Sequence, residues 1–217
     1  MLVRPLLLAA VVVTQLVTPV AAGRVEVRVA DDRGDPLEDA VVFLAGGTPP
    51  PGRSGLRAVM SQRDREFVPR VLPILAGTAV SFPDHDDVRH HVYSFSPAHK
   101  FELATGRRQP DAPIVFDTPG VVVLGCSIHD WMLGYVYVLT TPQFTKTGAD
   151  GRARIDGVPA GPWRARVWHP RLRGAESATT QAVAVPASGT VSAVFTIALT
   201  REWRLPRPFI GRSERAP

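Results

Sequence analysis

Cys126, His129 and Met132 stand at C-x-x-H-x-x-M spacing within Val121 to Val138, VVVLGCSIHDWMLGYVYV. An apolar run delivers the cysteine and a second apolar run begins near Gly134, so a short loop between two strands presents a thiolate, an imidazole and a thioether together. Two histidines and a cysteine in a trigonal plane, with a weak axial methionine, form the ligand set of a blue-copper site. One loop can supply three of these four. Zinc fits less well, because a thioether suits soft copper and one cysteine does not build a usual structural zinc site. A binuclear copper centre needs a second thiolate, and the chain has a single cysteine. Met132 also has a plainer use, as filling for a core.

The fourth ligand must come from elsewhere. Val88 to Phe95 (VRHHVYSF) places two histidines just before an alternating strand, upstream of the loop. His90 and His91 point to opposite faces of an extended chain, so one of them, and not both, faces the metal. His85 and His99 read as surface histidines in polar loops, and His169 as a structural residue after a strand. Asp84, Asp86 and Asp87 could form a second cation site, but their composition favours a solvated acidic loop. Trp131, inside the ligand loop, either covers the metal, presents a face to a partner or packs the loop.

The N-terminus reads as a secretion signal over residues 1–22. Met1 to Arg4 is short and basic, Pro5 to Val20 is almost wholly apolar, and Val20-Ala21-Ala22 offers small residues for cleavage. An uncleaved anchor is the alternative, and the mature chain has no further candidate span. Export makes the lone Cys126 informative, because exported proteins usually pair their cysteines and a free thiol there is a liability unless something occupies it. Intermolecular pairing or plain burial would also protect it. The net charge of +5 owes much to the arginines of a basic tail at 201–217, expected to be a solvated end rather than one that leans weakly on anionic lipid or an acidic protein. Without an aromatic-basic stripe, nucleic acid is not an expected partner.

The elements that must position these residues are strands. The 21 prolines and 18 glycines are spread between short Val-rich runs, and no stretch keeps an apolar pattern at helical spacing, so the chain is expected to be all-β. Arg24 to Ala30 alternates as a half-buried strand, and Ala40 to Leu44 is a second. Gly46 to Gly52 is a stiff proline-rich linker. Between Leu56 and Thr140 the strand candidates are Ala58 to Gln62, Phe67 to Ile74, Thr78 to Phe82, His91 to Ser96, Ile114 to Phe116, Val121 to Gly125 and Gly134 to Leu139. Their turn spacing suits a Greek-key sandwich or barrel. Thr147 to Asp156 reads strand, turn, strand, followed by Trp163 to Trp168, Gln181 to Pro186 and Val191 to Leu199.

His90-His91-Val92 resembles the H-N-V of small blue copper proteins of the plastocyanin and amicyanin type, or cupredoxins, and Cys126 to Met132 is similar to the shorter, amicyanin-like ligand loop. The larger run from about Met60 to Leu139 is similar to periplasmic proteins labelled methylamine utilisation proteins. The resemblance implies His90 as the ligand and His91, where that family has Asn, as a brace for the ligand loop, with Ser127 and Trp131 also around the ligands. The flanks resemble a carboxypeptidase-regulatory-like, transthyretin-type sandwich. Residues 23–48 and 141–200 would then form one sandwich, with a copper domain at 53–140 inserted into it, and Val25–Leu44 should pair with strands of Thr147–Leu199. The expected function is one-electron transfer by one type 1 copper in an exported or periplasmic protein, with an unidentified redox protein as partner. A copper carrier or sensor, or a sugar- or protein-binding sandwich with structural copper, are the alternatives. An enzyme is least expected, since four protein ligands leave no open position for substrate.

Overall fold

A computed structural model describes residues 22–46, 55–105 and 112–201. The expected signal segment before Ala22, the proline linker beyond Gly46 and most of the basic tail lie outside the described residues. The fold is all-β; among the described residues one short 3-10 turn at Glu176–Thr179 is the departure from strands. In chain order the strands are β1 (Ala22–Asp31), β2 (Val41–Ala45), β3 (Arg57–Val59), β4 (Ser61–Arg63), β5 (Glu66–Val68), β6 (Val71–Leu75), β7 (Thr78–Ser81), β8 (His91–Ser96) and β9 (His99–Ala104). They continue as β10 (Ile114–Phe116), β11 (Gly120–Cys126), β12 (Leu133–Leu139), β13 (Phe144–Lys146), β14 (Arg152–Pro159), β15 (Gly161–Trp168), β16 (Gln181–Val185) and β17 (Thr190–Ile197).

Alternation along β1 turns Val25, Val27 and Val29 into a core while Arg24, Glu26 and Arg28 stay in solvent. This strand is central: β14 pairs with it antiparallel on one side, and β17 runs parallel on the other from Arg24↔Thr190 to Asp31↔Ile197. A four-stranded sheet in the order β13-β2-β15-β16 packs its Val42, Leu44, Trp163, Ala165, Val167, Val183 and Val185 against that sheet. The N-terminal strands therefore pair with strands drawn from 144–197.

The middle of the chain forms its own pair of sheets, a five-stranded one in the order β6-β12-β11-β8-β9 and a three-stranded one in the order β10-β7-β3. Between them lie Met60, Ile74, Val80, Phe82, Val92, Phe116, Val122, Leu124, Val136 and Val138. β12 is apolar on both faces for a reason. Val136 and Val138 face this core, while Tyr137 and Leu139 meet Val41, Phe43 and Val71 in a seam against the first sandwich. Aromatic edges lock the seam, with Tyr137 at 5.9 Å from Phe43 and 5.0 Å from Trp168.

Four strand readings needed correction, one of them Thr147 to Asp156, whose first strand lies earlier, at β13, with no strand from Thr147 to Asp150. The run Ala58 to Gln62 breaks at Met60 into β3 and β4, which join different sheets. Phe67 to Ile74 breaks at Pro69, which has no N–H for a ladder, so β5 pairs with β4 and β6 pairs with β12. Strand β9 has no counterpart in the sequence reading, and it holds His99, whose ring packs 4.7 Å from Phe116 instead of sitting in a loop.

The turn into β14 depends on Gly151. Its φ is +69°, and a Cβ there would lie 2.5 Å from the Val29 carbonyl oxygen and 3.0 Å from the Leu37 nitrogen. Both neighbours are backbone, and Val29 donates its own N–H to the Gly151 carbonyl at 2.8 Å. Gly151→Ala is expected to lower the unfolding free energy by about 3 kcal/mol through left-handed strain and the displaced pairing, read as a shifted denaturant midpoint with the slope unchanged.

Candidate metal centre

Cys126 is the last residue of β11, paired with Val92 of β8, so the adjacent strand starts just after His90. The chain then turns, with the Met132 N–H donating to the His129 carbonyl at 2.9 Å before β12 begins. Pairing of β11 with both neighbours thus brings a loop and a strand entry to one end of the five-stranded sheet. There the Cys126 Sγ lies 3.6 Å from His90 Nδ1 and 3.9 Å from His129 Nδ1, and the two Nδ1 atoms are 3.2 Å apart. All three residues are buried, His90 deeply at 1% exposed and His129 nearest the surface at 9%. Met132, 2% exposed, belongs to the same core as Cys126.

A trigonal metal with bonds of about 2.0 Å to nitrogen and about 2.3 Å to thiolate needs N–N and N–S edges of about 3.5 and about 3.7 Å. The three edges here match that triangle to within a few tenths of an ångström. The donor set fits a soft monovalent or borderline divalent ion.

His90 and His91 part as extended residues must. The His90 ring turns inward to Cys126, whereas the His91 ring is half-exposed, with Nε2 3.9 Å from a Glu102 carboxylate oxygen. His91 touches the loop through its backbone, its carbonyl accepting the Ser127 N–H at 3.1 Å and its own N–H reaching the Cys126 sulfur. Ser127 likewise takes part through its backbone, since the residue itself is exposed. The Trp131 ring centroid lies 5.0 Å from that of His129, and its indole N–H is buried without an acceptor among the described residues.

Asp84 and Asp86 are the main departure from the sequence reading. The expected solvated acidic loop is instead folded onto His90, whose Nε2 meets Asp86 Oδ2 at 2.9 Å and lies 3.8 Å from a fully buried Asp84 oxygen. Asp86 also accepts the N–H of Asp64 at 2.7 Å and of Arg65 at 2.9 Å. The Thr105 hydroxyl faces Asp84 Oδ2 at 3.2 Å, with Gln62 Oε1 and the His90 carbonyl each at 3.3 Å. The spacing of Asp86 four residues before His90 was the available signal, because ligating histidines commonly pass their other N–H to a carboxylate. Gln62 and Thr105 carry no such signal. His85 stays exposed, and His169 is buried with Nδ1 accepting the Arg171 N–H, a structural use.

Electrostatics favour the metal-binding forms of Cys126 and His129, and work the other way at His90. Burial opposes a thiolate at Cys126, but His90 and the backbone N–H groups of His91, Ile128 and His129 outweigh it and bring the thiol below its ordinary range. Burial, followed by the neighbouring His90 and Arg65 charges, pushes His129 down towards its neutral form. At His90 burial works against the charge, but the Cys126 sulfur and Asp86 carboxylate overcome it and push this imidazole up. Burial would raise Asp86, yet the Arg65 N–H, His90 and the Asp64 N–H hold it below the usual carboxylate range.

Among the described residues, no helix is long and apolar enough to cross a membrane. Comparison with protein-family models and with curated proteins gives no match. Similar solved structures include the Cu-containing nitrite reductase from Thermus scotoductus SA-01, at 26% identity and a TM-score of 0.34, over 43% of this chain and 25% of that one. A variant of amicyanin in its Cu(I) form is 17% identical with a TM-score of 0.34, over 38% of this chain and 82% of its own. A purple cupredoxin from Nitrosopumilus maritimus is 27% identical with a TM-score of 0.30, over 39% of this chain and 99% of its own. The chain spans a quarter of the nitrite reductase, and the chemistry of the site rests on its own side chains.

Proposed function

We propose that this chain is an exported blue-copper protein of the cupredoxin kind that passes one electron at a time. His90, Cys126 and His129 would form the trigonal plane and Met132 the weak axial position. The observation that carries this reading is the buried triangle of one sulfur and two Nδ1 atoms, with edges of 3.2, 3.6 and 3.9 Å. Bound copper supplies a one-electron couple, and the protein's part is to keep the same ligand geometry in both oxidation states. Cys126 is fixed by strand pairing and by backbone N–H groups on its sulfur, and His90 by Asp86. Neither can relax far when charge changes, which favours fast electron transfer over metal release. His129 lies nearest the surface beside Ile128, which is 55% exposed, so a redox partner protein would approach at this end.

The organisation supporting this role is a copper unit over 53–140 carried by a sandwich built from 23–48 and 141–200. The apolar N-terminal run in the sequence supports export. The deciding test is titration of the metal-free protein with Cu(II). One equivalent is expected to bind and give an intense visible thiolate-to-copper band with a narrow EPR hyperfine splitting, both removed by mild reductant. Binding that leaves the protein colourless, or stoichiometry other than one, overturns the assignment.

A further inference from the structure

The hairpin β4–β5 turns through Asp64 and Arg65, both left-handed at φ 53° and 58°. Such a turn normally asks for Asn-Gly or Asp-Gly, and arginine at its second position costs backbone strain. The strained turn aims two consecutive N–H groups at the two oxygens of Asp86, at 2.7 and 2.9 Å. The oxygen that accepts from Arg65 also meets His90 Nε2 at 2.9 Å. Gln62, fully buried on the same hairpin, donates to the Phe82 carbonyl at 3.1 Å and its own carbonyl accepts the His85 N–H, fastening the hairpin to the segment that carries Asp86.

Resting on the copper reading above, we propose that Asp86 is a positioning residue that sets both the tautomer of His90 and the reduction potential of the site. A carboxylate on Nε2 keeps the proton there, which leaves the Nδ1 lone pair facing Cys126 and His129. It also makes the imidazole a stronger donor, and a stronger anionic-like donor stabilises Cu(II) more than Cu(I). The hairpin turn restrains the carboxylate, so the ligand is held by a chain of three rigid pieces: turn, carboxylate, ring. Asp84, at 3.8 Å from the same nitrogen, is beyond hydrogen-bond reach and contributes charge without fixing direction.

The test compares wild type, Asp86→Asn and Asp84→Asn, each loaded with copper. Asp86→Asn is expected to keep the visible band, lose about 10–100-fold in Cu(II) affinity, and show a more positive reduction potential. Each tenfold loss confined to Cu(II) raises a one-electron potential by about 59 mV. Asp84→Asn should shift the potential less, and Asp86→Glu should recover part of the loss. An Asp86→Asn protein with the band, affinity and potential of wild type overturns the proposal while leaving the copper reading intact. A wild type without the band removes the copper reading, and this inference with it. Should Asp86→Asn fail to fold, nitrogen NMR of metal-free wild type decides: a protected proton on Nε2 of His90 supports the role, and a ring whose proton sits on Nδ1 and not on Nε2 refutes it.

Discussion

Cys126→Ser is expected to abolish the visible band completely and to lower Cu(II) affinity more than about 100-fold, beyond the cost of losing an outer partner of a ligand. The effect is all-or-none because the band arises from the thiolate itself and the chain has no second cysteine to replace it. The fold should survive. Serine is close in size, and the backbone N–H groups of His91, Ile128 and His129 that point at the sulfur can donate to a hydroxyl instead. Thermal unfolding of the metal-free variant should therefore stay near that of metal-free wild type. The two adjacent histidines provide the matching contrast. His90→Ala removes a ring that is 1% exposed and leaves the Asp86 carboxylate facing an empty space, so copper should be held weakly and without the band. His91→Asn alters a half-exposed ring whose useful groups are its N–H and carbonyl, and the site should be nearly unchanged. A band that persists in Cys126→Ser, or one lost in His91→Asn and kept in His90→Ala, would overthrow the ligand assignment.

What the sequence reveals here follows from how local each signal is. The C-x-x-H-x-x-M loop is visible because its spacing is set within one turn, and the opposite facing of His90 and His91 follows from strand alternation, although alternation leaves open which of them turns inward. The all-β class is equally visible in the dispersed prolines and glycines. Strand β9 is not, because HKFELA is short, lies at the sheet edge and has no fully buried residue. The buried acids are hidden for a different reason. Asp84-His85-Asp86-Asp87 has the composition of a wet loop, and it becomes a wall of the site when a hairpin some twenty residues earlier covers it. No window of sequence contains both halves of that contact. Similarly, β2 and β12 read as uniformly apolar, and only the assembled sandwiches explain why each needs two buried faces.

Removing β1, residues 22–31, is expected to unfold the flanking sandwich entirely while leaving the copper site in working order. Val25, Val27 and Val29 all enter the flanking core, and β1 is the strand that joins β14 to β17. At about 1.5–3 kcal/mol for each buried side chain, their loss amounts to about 5–9 kcal/mol before the broken ladders are counted. That is comparable with the whole stability of a typical domain. The copper end has a separate core between its own two sheets, with Met60, Phe82, Phe116, Leu124 and Val136 among its members, and among the described residues no strand ladder joins those sheets to the flanking pair. What the copper end loses is the seam, where Val71, Tyr137 and Leu139 rest on Val41 and Phe43. Those residues would become exposed, lowering its stability and leaving an apolar surface prone to association. In the shortened chain, amide exchange across 144–197 should become fast while residues in β8, β11 and β12 stay protected, and added Cu(II) should still produce the band. If the band and the protection of β11 disappear together with the flanking strands, the two sandwiches are one cooperative unit, and the view of a self-sufficient copper domain carried as an insertion fails.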